Sequence, residues 1–291
     1  QAPQPGANEA EADTHQCSEK YLLDRGHVDI KAQPAEGGFS TVLRDDTAQV
    51  DKKSVDRKLD DVVLGVHDNA LTPRNEKLAG KEFDFLGKPG ERFYHLPQTQ
   101  NQHIIWPGYN TQDLDYSATK DNAVNLNLKP TSTPDGAEWG AFIDASHGKG
   151  FSVLANSAAE DYTIETNFAA HTHTHWAFSK PGVYTFEATY TATGKDGKEL
   201  KSEPQTLTFA VGDKTLDSCS SHKPNDSEGE TPSERPDEKP DDAAKPEEPT
   251  GSSLSPWSLV LPAVLVVVFK AFYNFFRDNE DLIRRRFGLK F

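Results

Sequence analysis

Methionine is absent from all 291 residues, position 1 included, and cysteine occurs only twice. The chain opens on Gln1-Ala2-Pro3-Gln4, which reads as an N-terminus left by removal of an export signal peptide. Basic surface is scarce too. The formal charge is -15, and outside the last few residues no Lys/Arg patch stands out that could meet a phosphate backbone, which argues against nucleic acid as a partner. Catalytic signatures are missing: there is no Gly-x-Ser-x-Gly elbow, no phosphate-cradling Gly-rich loop and no His-Glu-x-x-His helix. No enzymatic activity is therefore expected, the one opening being a zinc site with a free coordination position.

The two cysteines, Cys17 and Cys219, bracket almost everything that looks folded. Paired in an oxidising space, they would close a loop worth up to about 5 kcal/mol of chain entropy. Two unrelated free thiols are the alternative.

Long apolar runs are confined to one place. Residues 254–276 are nearly all apolar or aromatic, with Trp257 and Tyr273 near the borders. As a helix they would rise about 34 Å, enough for a hydrocarbon core of about 30 Å. Lys270 interrupts the run and must snorkel for the span to be complete. Arg277 and Arg284-Arg285-Arg286 follow, while the preceding segment is acidic, so the positive-inside bias puts residues 277–291 in the cytoplasm as a basic tail. The expected topology is a single-pass cell-membrane protein, held in the lipid bilayer by this helix. A buried or amphipathic helix of a soluble protein is the alternative. Residues 213–253, dominated by Pro, Glu, Asp, Lys and Ser, are too poor in apolar surface to fold and read as an acidic, Pro-rich, disordered stalk. Its polyproline-like stretches would extend at about 3.1 Å per residue. Residues 1–20 read as a shorter disordered lead-in.

Between these, residues 21–212 are punctuated by Gly and Pro too often for long helices. The clearest strand is 183–193, where Tyr184, Phe186, Ala188 and Tyr190 alternate with Thr185, Glu187, Thr189 and Thr191. After Gly194-Lys195-Asp196-Gly197 its hairpin partner is 205–211. Further strands are expected at 28–30, 39–43, 62–66, 104–106, 124–128, 138–143 and 151–154. Many short strands with frequent turns predict an all-β, β-sandwich-like or barrel ectodomain, of one domain or two.

Chemistry concentrates at His171-Thr172-His173-Thr174-His175-Trp176. On one strand all three imidazoles share a face, and neighbours about 6.7 Å apart can converge on one ion. The outer two, about 13 Å apart, cannot both reach it unless the strand bends or ends. His27 and Asp29 share another strand face, and His103, with His67, His95 and His147, is a further donor. Imidazoles with a carboxylate suit Zn²⁺ best, with Mn²⁺ among the alternatives. An exposed strand that merely tolerates His, or a pH-sensitive surface, would leave the same pattern.

The sequence resembles the actinobacterial surface-anchored protein domain family, also called choice-of-anchor M domain proteins. The resemblance rests on Gly26-His27-Val28-Asp29-Ile30, on Leu96-Pro97-Gln98-Thr99 followed by Trp106-Pro107-Gly108, and on His171 to Phe178 continuing through Ser179-Lys180-Pro181-Gly182-Val183-Tyr184. It covers roughly residues 21–212. It implies export, a variable C-terminal anchor, and the company of metal ABC transporter components with a solute-binding protein. A role in surface acquisition of zinc or manganese follows from that company. No sortase-type Leu-Pro-x-Thr-Gly motif occurs, so the helix is the expected anchor. The competing expectations are an adhesive or structural surface module without metal function, and haem capture through an axial His or Tyr.

Overall fold

Alternating side chains build three sheets in this chain. The computed structural model describes Cys17 and residues 19–145 and 150–220. The expected stalk beyond residue 220, the apolar segment 254–276, the tail 277–291 and His147 lie outside the described residues. Among the described residues no helix is long and apolar enough to cross a membrane.

With strands numbered in chain order, sheet A runs β1 (Tyr21–Leu23), β5 (Val62–Val66), β17 (Gln205–Val211), β15 (Gly182–Thr193), β9 (Val124–Ser132) and β12 (Thr163–Thr166), with β16 (Glu199–Lys201) also paired to β15. Sheet B runs β13 (His171–His173), β8 (Ile105–Asn110), β2 (Gly26–Ala35), β3 (Gly38–Asp45) and β4 (Val55–Arg57). Sheet C runs β11 (Phe151–Asn156), β10 (Trp139–Asp144), β14 (His175–Phe178), β7 (Arg92–Leu96) and β6 (Leu71–Pro73). Pairing is antiparallel except for β1 with β5, β5 with β17, and β2 with β8.

The three sheets enclose one core, which makes the fold all-β and sandwich-like. Sheet A contributes Leu64, Leu126, Tyr184, Phe186 and Phe209, sheet B Val28, Ile30 and Ile105, and sheet C Leu96, Trp139, Trp176 and Phe178. Trp139 meets Phe186 edge-on at 4.7 Å, and Phe178 lies 5.0 Å from Phe209. The Tyr190 hydroxyl donates to the Ile30 carbonyl at 2.7 Å, satisfying a polar group that would otherwise be buried unpaired. Burying each of these aromatic side chains is worth roughly 1.5–3 kcal/mol.

Sheets A and C are also covered outside. A 3₁₀ segment, Lys81–Leu86, sets Phe83 and Phe85 against Phe93, Phe142 and Ala177 of sheet C. Helix α1 (Asp213–Ser220) sets Leu216 against Val63, Val183 and Ala210 of sheet A. Gly65 admits it, since a Cβ there would come within 2.9 Å of Leu216 Cδ2. Cys17 and Cys219 are disulfide-bonded and buried in this outer cluster. The disulfide expected from sequence is thus present, whereas residues 213–220, counted with the stalk, are helical. That helix persists because its apolar side packs on the sheet, which stalk-like composition does not reveal.

The hairpin after β15 also differs in detail. The strand pairs first with β16 and then, over Gly182–Ala188, with β17, because Ser202 and its neighbours interrupt the returning strand.

The start of α1 is held by His67, whose Nδ1 lies 2.8 Å from Asp213 Oδ1 while its Nε2 lies 3.0 Å from Asp24 Oδ2. An imidazole has two N–H donors only when protonated, so only the cation satisfies both carboxylates. Burial opposes that charge, but the hydrogen bonds to Asp24 and Asp213 win and raise the His67 pKa. The hydrogen bond from His67 in turn lowers that of Asp213. A raised histidine pKa stabilises the fold fully below about pH 6.5, and the contribution is lost as pH rises through the folded-state value. The Asp213 contribution is lost in the opposite direction, as pH falls below the carboxylate range. Replacing His67 by Asn should therefore flatten the fall in melting temperature between about pH 6 and 8; thermal melts of both proteins across that range check it.

Candidate metal centre

The outer face of sheet B carries a polar cluster that alternation alone puts there. Val28 and Ile30 of β2 enter the core, so His27 and Asp29 point outward. In register, Asp29 stands opposite Gly108 of β8, and Gly108 stands opposite His173 of β13; His171 stands opposite Asn110. Four side chains from β2 and β13 thus meet above the middle strand.

One ligand atom from each of His27, Asp29, His171 and His173 can be chosen so that all lie within 4.8 Å of one another. His171 Nε2 is 2.9 Å from Asp29 Oδ2, His27 Nε2 is 3.5 Å from Asp29 Oδ1, and His173 Nε2 is 3.8 Å from that same oxygen. The Nε2 atoms of His27 and His173 are 3.0 Å apart. Donors around a tetrahedral zinc ion stand about 3.3 Å apart; the four separations above lie near that value, while the set as a whole spreads to 4.8 Å, wider than a closed tetrahedral shell. Two imidazole nitrogens that close need a proton or a cation between them.

The surroundings fix the rings. His27 Nδ1 donates to Asp46 Oδ2 at 2.9 Å, which turns Nε2 toward the cluster and gives the carboxylate–histidine arrangement common behind metal ligands. His173 stacks on Trp106, with centroids 3.5 Å apart and planes at 9°. The indole is held in turn by its Nε1–H donating to the Gln98 carbonyl at 2.9 Å.

Charge follows from this geometry. The hydrogen bond to Asp29 raises the His27 pKa against burial, with help from Asp46. Burial would raise that of Asp29, but His27, His171 and His173 together hold it below the usual carboxylate value. Burial lowers the His173 pKa to about 4, and nearby His27 and His171 add to the effect. A neutral His173 beside an ionised Asp29 is the state a metal ion needs.

Gly108 is required by the convergence. A Cβ there would lie 2.7 Å from Asp29 Oδ1 and 2.9 Å from His173 Nδ1. Gly108→Ala should lower metal affinity about 10–100-fold, as changes in the support of ligands do. Calorimetric titration measures the loss, and an unchanged far-UV spectrum shows that the sheets persist.

Set against known protein families, curated proteins and solved structures, the chain matches none of them.

Two sequence candidates fall outside the cluster. The single strand expected over the His repeat is two strands: β13 ends at His173 in sheet B, Thr174 is buried, and β14 begins at His175 in sheet C. His175 therefore joins His95 instead. Its Nδ1 lies 2.9 Å from His95 Nε2 and accepts from the Gln98 N–H at 3.1 Å. Its ring stacks on Phe142 at 4.7 Å. Burial lowers both pKa values, that of His95 to about 4. The pair is a neutral, hydrogen-bonded part of the packing. His103 lines a different cleft, with Asp24, His67 and Asp213.

Asp46, Trp106 and Gly108 support the cluster without having been singled out as site residues. Trp106-Pro107-Gly108 was visible only as part of the resemblance. Asp46 carries no local signal, because its role depends on β2 lying beside β3.

Proposed function

We propose that this protein binds one divalent transition-metal ion, zinc foremost, through His27, Asp29, His171 and His173, and does so as an exported, membrane-anchored surface protein that supplies metal to an ABC transporter. The observation that carries the reading is the convergence of three imidazoles and one carboxylate within 4.8 Å. Three nitrogen donors and one oxygen suit zinc, with manganese the next candidate where oxygen donors or water complete the shell. The surface setting and the transporter partner come from the sequence pattern and the family resemblance, which fit a protein that meets ions outside the bilayer.

Elemental analysis of protein purified without added metal tests the site. One zinc per chain is expected, lost on changing His27, His171 and His173 together to Ala. His175→Ala should retain it, because that ring belongs to the other sheet. Unchanged metal content in the triple variant would sink the reading.

A further inference from the structure

All four donors rise from one face of sheet B. His27 and Asp29 rise from β2 and His171 and His173 from β13, across Gly108, all on the outer face of the same sheet. Their exposure is graded: the Asp29 side chain is 1% exposed, that of His173 10% and that of His171 34%. The carboxylate forms the floor and the imidazoles form the walls. Beyond them lies an open cleft of about 430 Å³, lined by His27, Gln100, Trp106, His171 and His173. Its lining contains no carboxylate and no thiol. A structural zinc site is enclosed by its four protein ligands, whereas here the side of the cluster away from the sheet is the open cleft, and no further imidazole, thiol or carboxylate covers it among the described residues.

We propose that the metal held here keeps an outward coordination position in which water exchanges for a small anionic oxygen or nitrogen donor, the carboxylate of a chelating organic acid being the class that fits. The cleft has room for such a molecule, and its imidazole and indole walls place no negative charge against the anion. The carboxylates of Asp29 and Asp46 lie behind the rings. An anion bound at this position would form a ternary complex with the protein donors still attached, from which the ion would leave as a chelate once those donors release it, or into which it would arrive by the reverse steps. The proposal rests on the metal reading, and the test separates the two.

The intact chain is loaded with Co²⁺, and its visible d–d absorption is followed during titration with azide and, separately, with citrate. The expected result is a weak five-coordinate spectrum whose bands shift with either anion and saturate at one anion per cobalt. An intense four-coordinate spectrum that neither anion moves overturns the open position. Bands that move with azide and not with citrate reject the chelating-acid class. Absence of any cobalt band in the wild-type protein rejects the metal site itself.

Discussion

Asp29→Asn is expected to lower zinc affinity by about 100-fold or more, beyond the range seen when only the support of a ligand is altered. Asp29 is the single carboxylate in the cluster, it is buried, and all three imidazoles lie within 3.8 Å of its oxygens. Asn keeps the shape and removes the negative charge, so the change reads the charge rather than the space. The same substitution removes the partner that raises the His27 pKa, so the metal-free site should also take up its proton at lower pH. Competition against a chromophoric chelator measures the affinity, and circular dichroism establishes that the variant is folded. Wild-type affinity in a folded Asp29→Asn protein would remove Asp29 from the site.

Replacing Cys17 and Cys219 together by Ser should produce the largest loss of stability among the changes considered. The bond closes a loop with a sequence separation of 202. Chain entropy for so long a loop is worth up to about 5 kcal/mol, which in a domain of this size lowers the melting temperature by roughly 10–20 °C. Calorimetry with and without a reductant gives two independent measures: the reduced wild type and the double variant should melt together. Coincident melting of the oxidised and reduced wild type would show that packing of α1 on sheet A, and not the covalent bond, holds the ends. Metal binding at sheet B should survive in either form below its melting range, since no ligand belongs to β1 or α1.

The long strands were legible as runs of β-branched, aromatic and aliphatic residues bounded by turn residues, even where both faces are buried, as in Val62–Val66. Residues 62–66 and 205–211 are strands with the limits expected from the sequence, and Tyr184, Phe186, Ala188 and Tyr190 all enter the core as their spacing required. β1, β4, β6 and β16 are each three residues long and have no period to detect. They exist because a neighbouring strand already offers its edge. The parallel partners of β5 and β8 were invisible for a related reason: they join segments far apart in sequence. At the site, strand spacing limited a shared ion to two of the three repeat histidines unless the chain bent. Which two was decided by Thr174, buried where the chain leaves sheet B for sheet C. His27 with Asp29 could be read as a pair from two-residue spacing, but their meeting with His171 and His173 depends on β8 lying between them. Nothing local distinguished His103, which was included as a donor by residue type alone.

The disulfide has a mechanical consequence as well. A pull applied between a point before Cys17 and a point after Cys219 is carried by one covalent bond and never reaches the strands between. The sheets bearing the histidines should unfold under such a load only once the bond is reduced. Stretching single molecules in oxidising and reducing buffer would show this as a missing length step: about 200 residues of chain, near 3.5 Å each, released in reductant alone.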